Sequence, residues 1–364
     1  MPFDTNEFPA AAHSTQRNRR IVAIWLFALC AMVFVMIVLG GMTRLTRSGL
    51  SIMEWAPLRG ALPPMSEAEW RRLYGLYQKI PQYRLLNADI GLDGFRRIFW
   101  LEWVHRLWGR LIGLAFAVPL IWLWARGAIE RALRPRLALL FALGAMQGAV
   151  GWFMVASGFL PDSISVSPYR LVVHLAVALF LYVALLWCGL SVLSTPPSAF
   201  PTARRRPPTA TSVRLTWASV VLVVLTVLAG GFVAGTHAGL IDNTFPLMEG
   251  QLVPPDYARL EPFLRNFTEN LPAVQFDHRL LATLTAFVCA ATAVVGLRAG
   301  ASGALRTALL ALVAVVAAQY ALGVATLLWV VPVPLATAHQ AMAVLALTAA
   351  VTSLHVVRRA GGVS

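Results

Sequence analysis

The stretch FWLEWVHRLWGR, residues 99–110, leads directly into an apolar run from Leu111 to Ala125. With its aromatic lead-in, this run is long enough to enter a membrane. Glu102, His105 and Arg106 lie at its mouth, and a carboxylate and an imidazole three residues apart share one face of a helix. Ionisable side chains at membrane depth are costly and are therefore candidates for a functional role. The stretch predicts a membrane helix with a polar site near one end.

The composition of the chain is that of a membrane protein. Of its 364 residues, 58% are hydrophobic and 13% are charged, whereas a soluble globular domain has roughly a quarter of charged residues. The formal net charge is +14, but no basic stripe is interleaved with aromatic residues, so the sequence predicts no nucleic-acid partner. The three cysteines lie in apolar runs without a C-x-x-C spacing, and neither a disulfide nor a zinc site is expected.

Eight uncharged or nearly uncharged runs predict an all-α polytopic membrane protein whose partner is the lipid bilayer. The runs lie at 21–42, 98–125, 137–156, 169–193, 214–235, 273–297, 307–331 and 335–357. Arginines precede the first run and follow every second run, which predicts that both termini are cytoplasmic. Positions in this set include Arg17, Arg19, Arg20, Arg126, Arg131, Arg134, Arg136, Arg204, Arg205, Arg206, Arg298, Arg306, Arg358 and Arg359.

The long segment 44–97 is predicted to form a folded periplasmic cap, because long loops cross the membrane largely regardless of their charge. Within it, residues 65–80 are amphipathic and open on Ser66 and Glu69, the pattern of a capping box. We expect a helix here that lies on the membrane surface.

The chain contains an internal repeat. GGMTRLTRSGL from Gly40 is echoed by GGFVAGTHAGL from Gly230, and QGAVG from Gln147 by QYALG from Gln319. His-Arg recurs at 105–106 and 278–279, and His174 is echoed by His339, so the offsets between copies are 190, 173, 172 and 165 residues. The repeat predicts two pseudo-symmetric four-helix bundles, residues 1–203 and 204–364, joined by the Pro- and Arg-rich linker 194–213.

Four histidines fall at similar depth in the second and fourth helix of each half: His105, His174, His278 and His339. Two neutral imidazoles on opposite sides of a planar macrocycle are standard axial ligands of haem iron, whereas zinc needs three or four clustered ligands. The carboxylates of a haem need cations near the aqueous rim, for which the candidates are Arg106, Arg170 and Arg279. A single membrane histidine is more often a helix contact than a ligand, but four matched positions favour two haem sites.

The two predicted pockets differ three residues before the His-Arg pair. The first half has Glu102 at this position and the second half has Gln275. Only the first pocket therefore has a carboxylate for proton chemistry, and the second is suited to electron transfer or structure. The competing interpretation is that Glu102 only pairs with Arg106 or another nearby arginine.

Segments along nearly the whole chain resemble the haem A synthase family of the type found in alphaproteobacteria and mitochondria. They are GGMTRLTRSGLSIMEWAPLRGALPP, FWLEWVHRLWGR, MQGAVGWFMVASG, YRLVVHLAVA, NTFPLMEG, VQFDHRL and LATAHQAMA. The resemblance implies that Glu102 is the catalytic glutamate, that His105 and His174 ligate a substrate haem, and that His278 and His339 ligate a resident haem B. The loop cysteine pair of the other bacterial type is absent.

This resemblance implies an inner-membrane enzyme that converts haem O to haem A for terminal cytochrome oxidases, with haem O synthase and oxidase assembly factors as partners. One rim methyl of haem O is oxidised through an alcohol to a hydrated aldehyde that loses water. Glu102 would act as an acid–base or charge-stabilising group. The alternative is a bis-histidine b-type membrane cytochrome that only carries electrons, which gives Glu102 no task. A transporter is a weaker alternative, because no helix is visibly broken at mid-membrane.

Overall fold

The computed structural model describes residues 7–56, 59–194 and 208–361, with side chains from residue 16 onward. The predicted boundary between residues 203 and 204, the Arg204–Arg206 run and the side chain of His13 lie outside the described residues. In the described ranges the secondary structure is helical apart from one isolated bridge between Met248 and Gln251. The α-helices are α1 Glu7–Leu45, α2 Glu67–Tyr77, α3 Pro81–Leu86, α4 Gly91–Ala125, α5 Arg134–Ala156, α6 Pro168–Leu193, α7 Ala210–Thr236, α8 Asn266–Glu269, α9 Leu271–Arg298, α10 Gly303–Leu328 and α11 Val333–Ala360.

Eight helices in the described part of the chain are long and apolar enough to cross a membrane: α1 from Gln16 onward, α4, α5, α6, α7, α9, α10 and α11. The predicted all-α fold with eight membrane helices is confirmed, and the protein is a multi-pass membrane protein.

Helix α4, the second membrane helix, begins earlier than its apolar run predicts. It starts at Gly91, seven residues before position 98, because its first two turns pack against α2 outside the apolar run. Phe95 and Phe99 are buried there, and the ring centroids of Phe99 and Trp70 are 4.9 Å apart. As a result His105 lies about 21 Å from the start of its helix, farther along the helix than the apolar run predicts.

Helix α2 has the predicted start but a different environment. Ser66 Oγ accepts a hydrogen bond from the backbone N–H of Glu69 at 3.2 Å, as a helix cap does. The Glu69 carboxylate does not complete the capping box but binds Arg72. The apolar face of α2, with Trp70 and Tyr77, is buried against protein. The predicted helix is therefore present, and its apolar face packs against protein.

The membrane helices contact one another in two rings. Helix α1 contacts α4 and α6, and α5 lies between α4 and α6. Helix α7 contacts α9 and α11, and α10 lies between α9 and α11. Between the rings, α6 packs on α7 and α11, and α1 packs on α11.

Glycines and polar side chains bring the two rings together. A Cβ on Gly41 of α1 would lie 1.6 Å from Gln340 Oε1, and the Gln340 amide donates to the carbonyl of Ile37 at 2.7 Å. Arg44 at the end of α1 donates to the carbonyls of Ala234 and Gly235 at the end of α7, where a cation is favourable for the helix dipole.

Arg44 also contacts His237 Nε2 at 3.0 Å, so the imidazole accepts this hydrogen bond in its neutral form. Burial, with the charges of Arg44 and Arg47, lowers the pKa of His237 from 6.5 to about 4. His237 is a structural contact between the rings. His355, which the sequence places near a cytoplasmic end, is 5% exposed and packs edge-on against Trp187, so it too is structural.

We expect the stability of the protein to fall as the pH drops from 6.5 towards 4. In this window the unfolded chain protonates His237 at its ordinary pKa, whereas the folded chain keeps it neutral until about pH 4. His237→Gln keeps an acceptor for Arg44 and should flatten this part of the profile. The measurement is thermal unfolding in detergent across this pH range. An equal loss of stability in both proteins would contradict the assignment.

Candidate functional site

Each of the four predicted histidines lies against a glycine of a neighbouring helix. A Cβ would approach the facing imidazole to 3.2 Å on Gly40, 2.9 Å on Gly151, 3.0 Å on Gly230 and 2.8 Å on Gly323. The facing histidines are His105, His174, His278 and His339, in the same order. Each imidazole thus lies where a larger side chain would otherwise be. The four glycines are on the first and third membrane helices of each half: α1 and α5, then α7 and α10. Gly151 and Gly323 are the last residues of the segments QGAVG and QYALG. In the sequence these segments indicate the repeat, but they do not indicate that their glycines face histidines.

The second ring brings His278 and His339 together. Their ring centroids are 6.4 Å apart and their planes meet at 87°. Because a metal–histidine bond is about 2.0–2.1 Å, two imidazoles on opposite sides of one metal have centres roughly 6 Å apart. His278 Nδ1 contacts the carbonyl oxygen of Thr226 at 3.1 Å. Since a carbonyl only accepts, Nδ1 carries the proton and Nε2 retains the lone pair that a metal requires.

The first ring holds its histidines differently. The Gln147 amide donates to the carbonyl of His174 at 2.9 Å and contacts His174 Nδ1 at 3.1 Å. Among the described residues, His105 has no hydrogen bond like that of His278 to Thr226. His105 is therefore less firmly oriented than His278.

Glu102 is buried and saturated with hydrogen bonds. Its side chain is 3% exposed. Oε2 accepts from Ser51 N at 2.7 Å, Ser51 Oγ at 2.7 Å and Ile52 N at 2.9 Å. Oε1 accepts from Arg106 Nε at 3.0 Å and Nη2 at 2.5 Å. The two oxygens thus accept from five donor atoms, two of them on the Arg106 guanidinium, which suits the acceptor-only character of a carboxylate.

Arg106 links this carboxylate to the segment that follows α1. Its Nη2 donates to the carbonyl of Ile52 at 2.8 Å and its Nη1 to that of Glu54 at 3.2 Å. Glu102 and Arg106 together therefore hold residues 51–54 against α4, within one helical turn of His105. The interpretation that Glu102 pairs with Arg106 describes part of this network, and the backbone N–H groups complete it.

The second ring contains the same arrangement with its polarity changed. Arg279 donates to the carbonyls of Asp242 at 2.7 Å and Thr244 at 2.9 Å, and to Gln275 Oε1 at 2.7 Å. The Gln275 amide donates to the carbonyls of Ala238 at 2.8 Å and Ile241 at 2.6 Å. In the first half, backbone N–H groups face the Glu102 carboxylate. In the second half, backbone carbonyls face the Gln275 amide. The Glu102/Gln275 difference therefore extends into the backbone that faces each side chain.

The three candidate arginines all have protein partners. Arg106 and Arg279 hold backbone carbonyls, and Arg170 donates to the carbonyl of Phe153 at 2.8 Å, with its guanidinium 3.9 Å from the centroid of that ring. The Nε of Arg279 is buried and has no hydrogen-bond partner. It is thus a spare donor beside the second pocket, whereas the corresponding atom of Arg106 is used by Glu102.

Taken together, the fold and the site define a class: a multi-pass helical membrane protein with two glycine-backed histidine pairs. Three residues before its first histidine, one pair has the buried carboxylate of Glu102 and the other has the amide of Gln275. The family model described as COX15-CtaA, cytochrome oxidase assembly protein, matches residues 23–351. The chain belongs to this family, and the resemblance found in its sequence is confirmed.

Relatives match almost end to end. The chain is 61% identical over 346 residues to the heme A synthase of Granulibacter bethesdensis, which covers 95% of this chain and 90% of that protein. It is 47% identical over 339 residues to the heme A synthase of Rhodospirillum centenum, covering 93% and 89%. It is 44% identical over 355 residues to that of Nitrosospira multiformis, covering 98% of each chain.

Proposed function

We propose that this protein is a haem A synthase, an oxidoreductase that converts a rim methyl group of haem O to a formyl group. The observation that carries the proposal is the 61% identity to a heme A synthase over 95% of the chain. The difference between Glu102 and Gln275 at matching repeat positions agrees with it, because a cytochrome that only carries electrons does not require that difference. The enzyme acts in a bacterial inner membrane with both termini cytoplasmic, as the arginine distribution favours.

Each half of the chain, 1–203 and 204–364, holds one haem in this proposal. His105 and His174 ligate the substrate haem O, and His278 and His339 ligate a resident haem B. The glycine-backed rings fit a large planar group, and the spacing of His278 and His339 suits one metal between them. Arg279, with its spare Nε, is the best placed of the arginines for a haem carboxylate, ahead of Arg106 and Arg170.

Glu102 supplies a fixed negative charge at the first pocket. When bound, the haem supplies the redox chemistry. The protein holds the macrocycle, excludes water and presents charge where the oxidised carbon develops it. Because all five bonds to Glu102 come from donors, the geometry favours the charge-stabilising role over that of a proton acceptor. Arg106 positions this carboxylate and the segment 51–54.

The partners that follow from this function are a haem O synthase as the source of substrate and the assembly factors of terminal oxidases as the destination of the product. The test is to purify the protein from cells that make haem O and to chromatograph the extracted haems. Haem A together with haem B is expected. Haem B alone would support the electron-carrying cytochrome, and no haem would support a transporter.

The glycine that backs His339 provides a second test. Gly323→Val should displace the imidazole, because a Cβ there already meets it at 2.8 Å. We expect the resident haem content to fall about tenfold or more, as when the support of a metal ligand is lost. Gly75→Val, at a glycine of α2 with open space around it, is the matched control. Equal haem in both variants, read from difference spectra, would contradict the pocket assignment.

A further inference from the structure

Two matching segments follow the first membrane helix of each half and are held by matching bonds. Residues 51–56 and 241–246 are 190 residues apart, and we call them the first strap and the second strap. Arg106 of α4 donates to two carbonyls of the first strap, and Arg279 of α9 donates to the two carbonyls at the corresponding positions of the second. Each strap is thus attached to the helix that bears the first histidine of its half.

The first strap crosses from α4 to α5 beside the histidines of its half. Trp55 lies against Trp152 of α5, with ring centroids 6.3 Å apart. Trp152 follows Gly151, which backs a histidine, just as Arg106 follows His105 on α4. The two tryptophans are 56% and 52% exposed, so the strap lies on the outer side of the seam between α4 and α5.

The second strap is fixed to both of its neighbouring helices. The Asn243 amide donates to the carbonyl of Leu327 in α10 at 2.9 Å. Phe245, the counterpart of Trp55, packs against Tyr320 of α10 with ring centroids 6.3 Å apart. The second strap is therefore bonded to α9 through Arg279 and to α10 through Asn243.

The first strap is not fixed to α5 in this way. Met53 occupies the position of Asn243, and it packs in an apolar cluster that also contains Met154 and Val155 of α5. In the described part of the chain, no hydrogen bond joins the first strap to α5. Apolar contacts have no directional partner, and lipid is as apolar as the exposed face of Trp55. The first strap can therefore leave α5 without breaking a hydrogen bond while it stays bonded to α4, whereas the second strap has to break a bond to leave α10.

We propose that the first strap is the gate through which the substrate haem enters and leaves the first pocket, sideways from the membrane between α4 and α5. This inference rests on the proposed function. A substrate haem has to be exchanged in every cycle and a resident haem does not, and the attachments of the two straps differ in the same sense. Glu102 and Arg106 keep residues 51–54 on α4, so the opening side is at Trp55. Opening of such a segment commonly limits the exchange of substrate and product.

The test closes the gate with a covalent link after the protein has been purified. In Trp55→Cys/Trp152→Cys, a bifunctional maleimide joins the first strap to α5. The three native cysteines lie in membrane helices, and the two single-cysteine variants, treated in the same way, control for reaction with them. Protein that contains only its resident haem is mixed with haem O, and the binding of haem O is followed by its absorption spectrum. We expect uptake to slow about tenfold or more after linking, as for a lid that can no longer open, while the spectrum of the resident haem stays unchanged.

The second strap provides the matched control. Phe245→Cys/Tyr320→Cys, linked with the same reagent, joins the second strap to α10 at the corresponding contact and should leave the uptake of haem O unchanged. Equal uptake before and after linking of Trp55→Cys/Trp152→Cys would overturn the gate. An equal slowing when the second strap is linked would overturn it too, because the two straps would then not differ. A wild-type protein that takes up haem O but makes no haem A would overturn the proposed function alone, and one that takes up no haem O would overturn both.

Discussion

Glu102→Gln is expected to reduce haem A formation on the order of a hundredfold, the scale of a displaced catalytic group. The carboxylate accepts five hydrogen bonds, three on Oε2 and two on Oε1. An amide has one acceptor oxygen and turns N–H groups toward the remaining donors, so at least two buried donors lose their partner at about 1–3 kcal/mol each. The measurement is the ratio of haem A to haem O extracted from purified protein.

A matched control distinguishes this site from the periplasmic segment as a whole. Glu54→Gln changes an exposed carboxylate of the same segment, whose oxygens bind Arg72, and should leave the haem ratio unchanged. Ser51→Ala removes one of the five donors and keeps the charge of Glu102, so a smaller loss is expected. Haem A at the wild-type level in Glu102→Gln would sink the assigned role.

The sequence was sufficient to predict the eight membrane helices, because apolar runs are local patterns. Apolar runs of membrane length are set by the bilayer itself, and the repeat pairs His105 with His278 and His174 with His339 without knowledge of any contact. The start of α4 was not predictable in this way. Its first turns pack against Trp70 of α2. The position of an apolar run does not predict a contact with another helix.

The surroundings of Glu102 could not be predicted either. Ser51 and Ile52 are about fifty residues away in the chain, and what they contribute is mainly backbone N–H, which every residue other than proline has. The residue types at positions 51 and 52 therefore do not predict that these residues donate to Glu102. Gly151 and Gly323 occupy matching positions in the two halves, each four residues after a glutamine. Their role could be inferred only once the structure showed which histidine each of them faces.

His278→Ala and His339→Ala are each expected to remove the spectrum of the resident haem from the purified protein. The two ring centroids lie 6.4 Å apart, a spacing that suits two ligands of one metal, so the loss of either would leave a haem iron with a single protein ligand. The Thr226 carbonyl already holds His278 in the ligating tautomer, which supports its assignment as a ligand. Reduced-minus-oxidised spectra and haem per chain are the measurements.

Two further variants, His355→Gln as a control and His105→Ala as a comparison, test which half holds which haem. His355→Gln changes another buried histidine of the second half, packed against Trp187 and away from the pockets, and should keep the spectrum. His105→Ala should keep the resident spectrum too and instead lose haem A, because it belongs to the other pair. If His278→Ala kept the low-spin spectrum and His105→Ala lost it, the two halves would have to exchange roles. Glu102 would then adjoin the resident haem, and the difference between Glu102 and Gln275 would tune a cofactor.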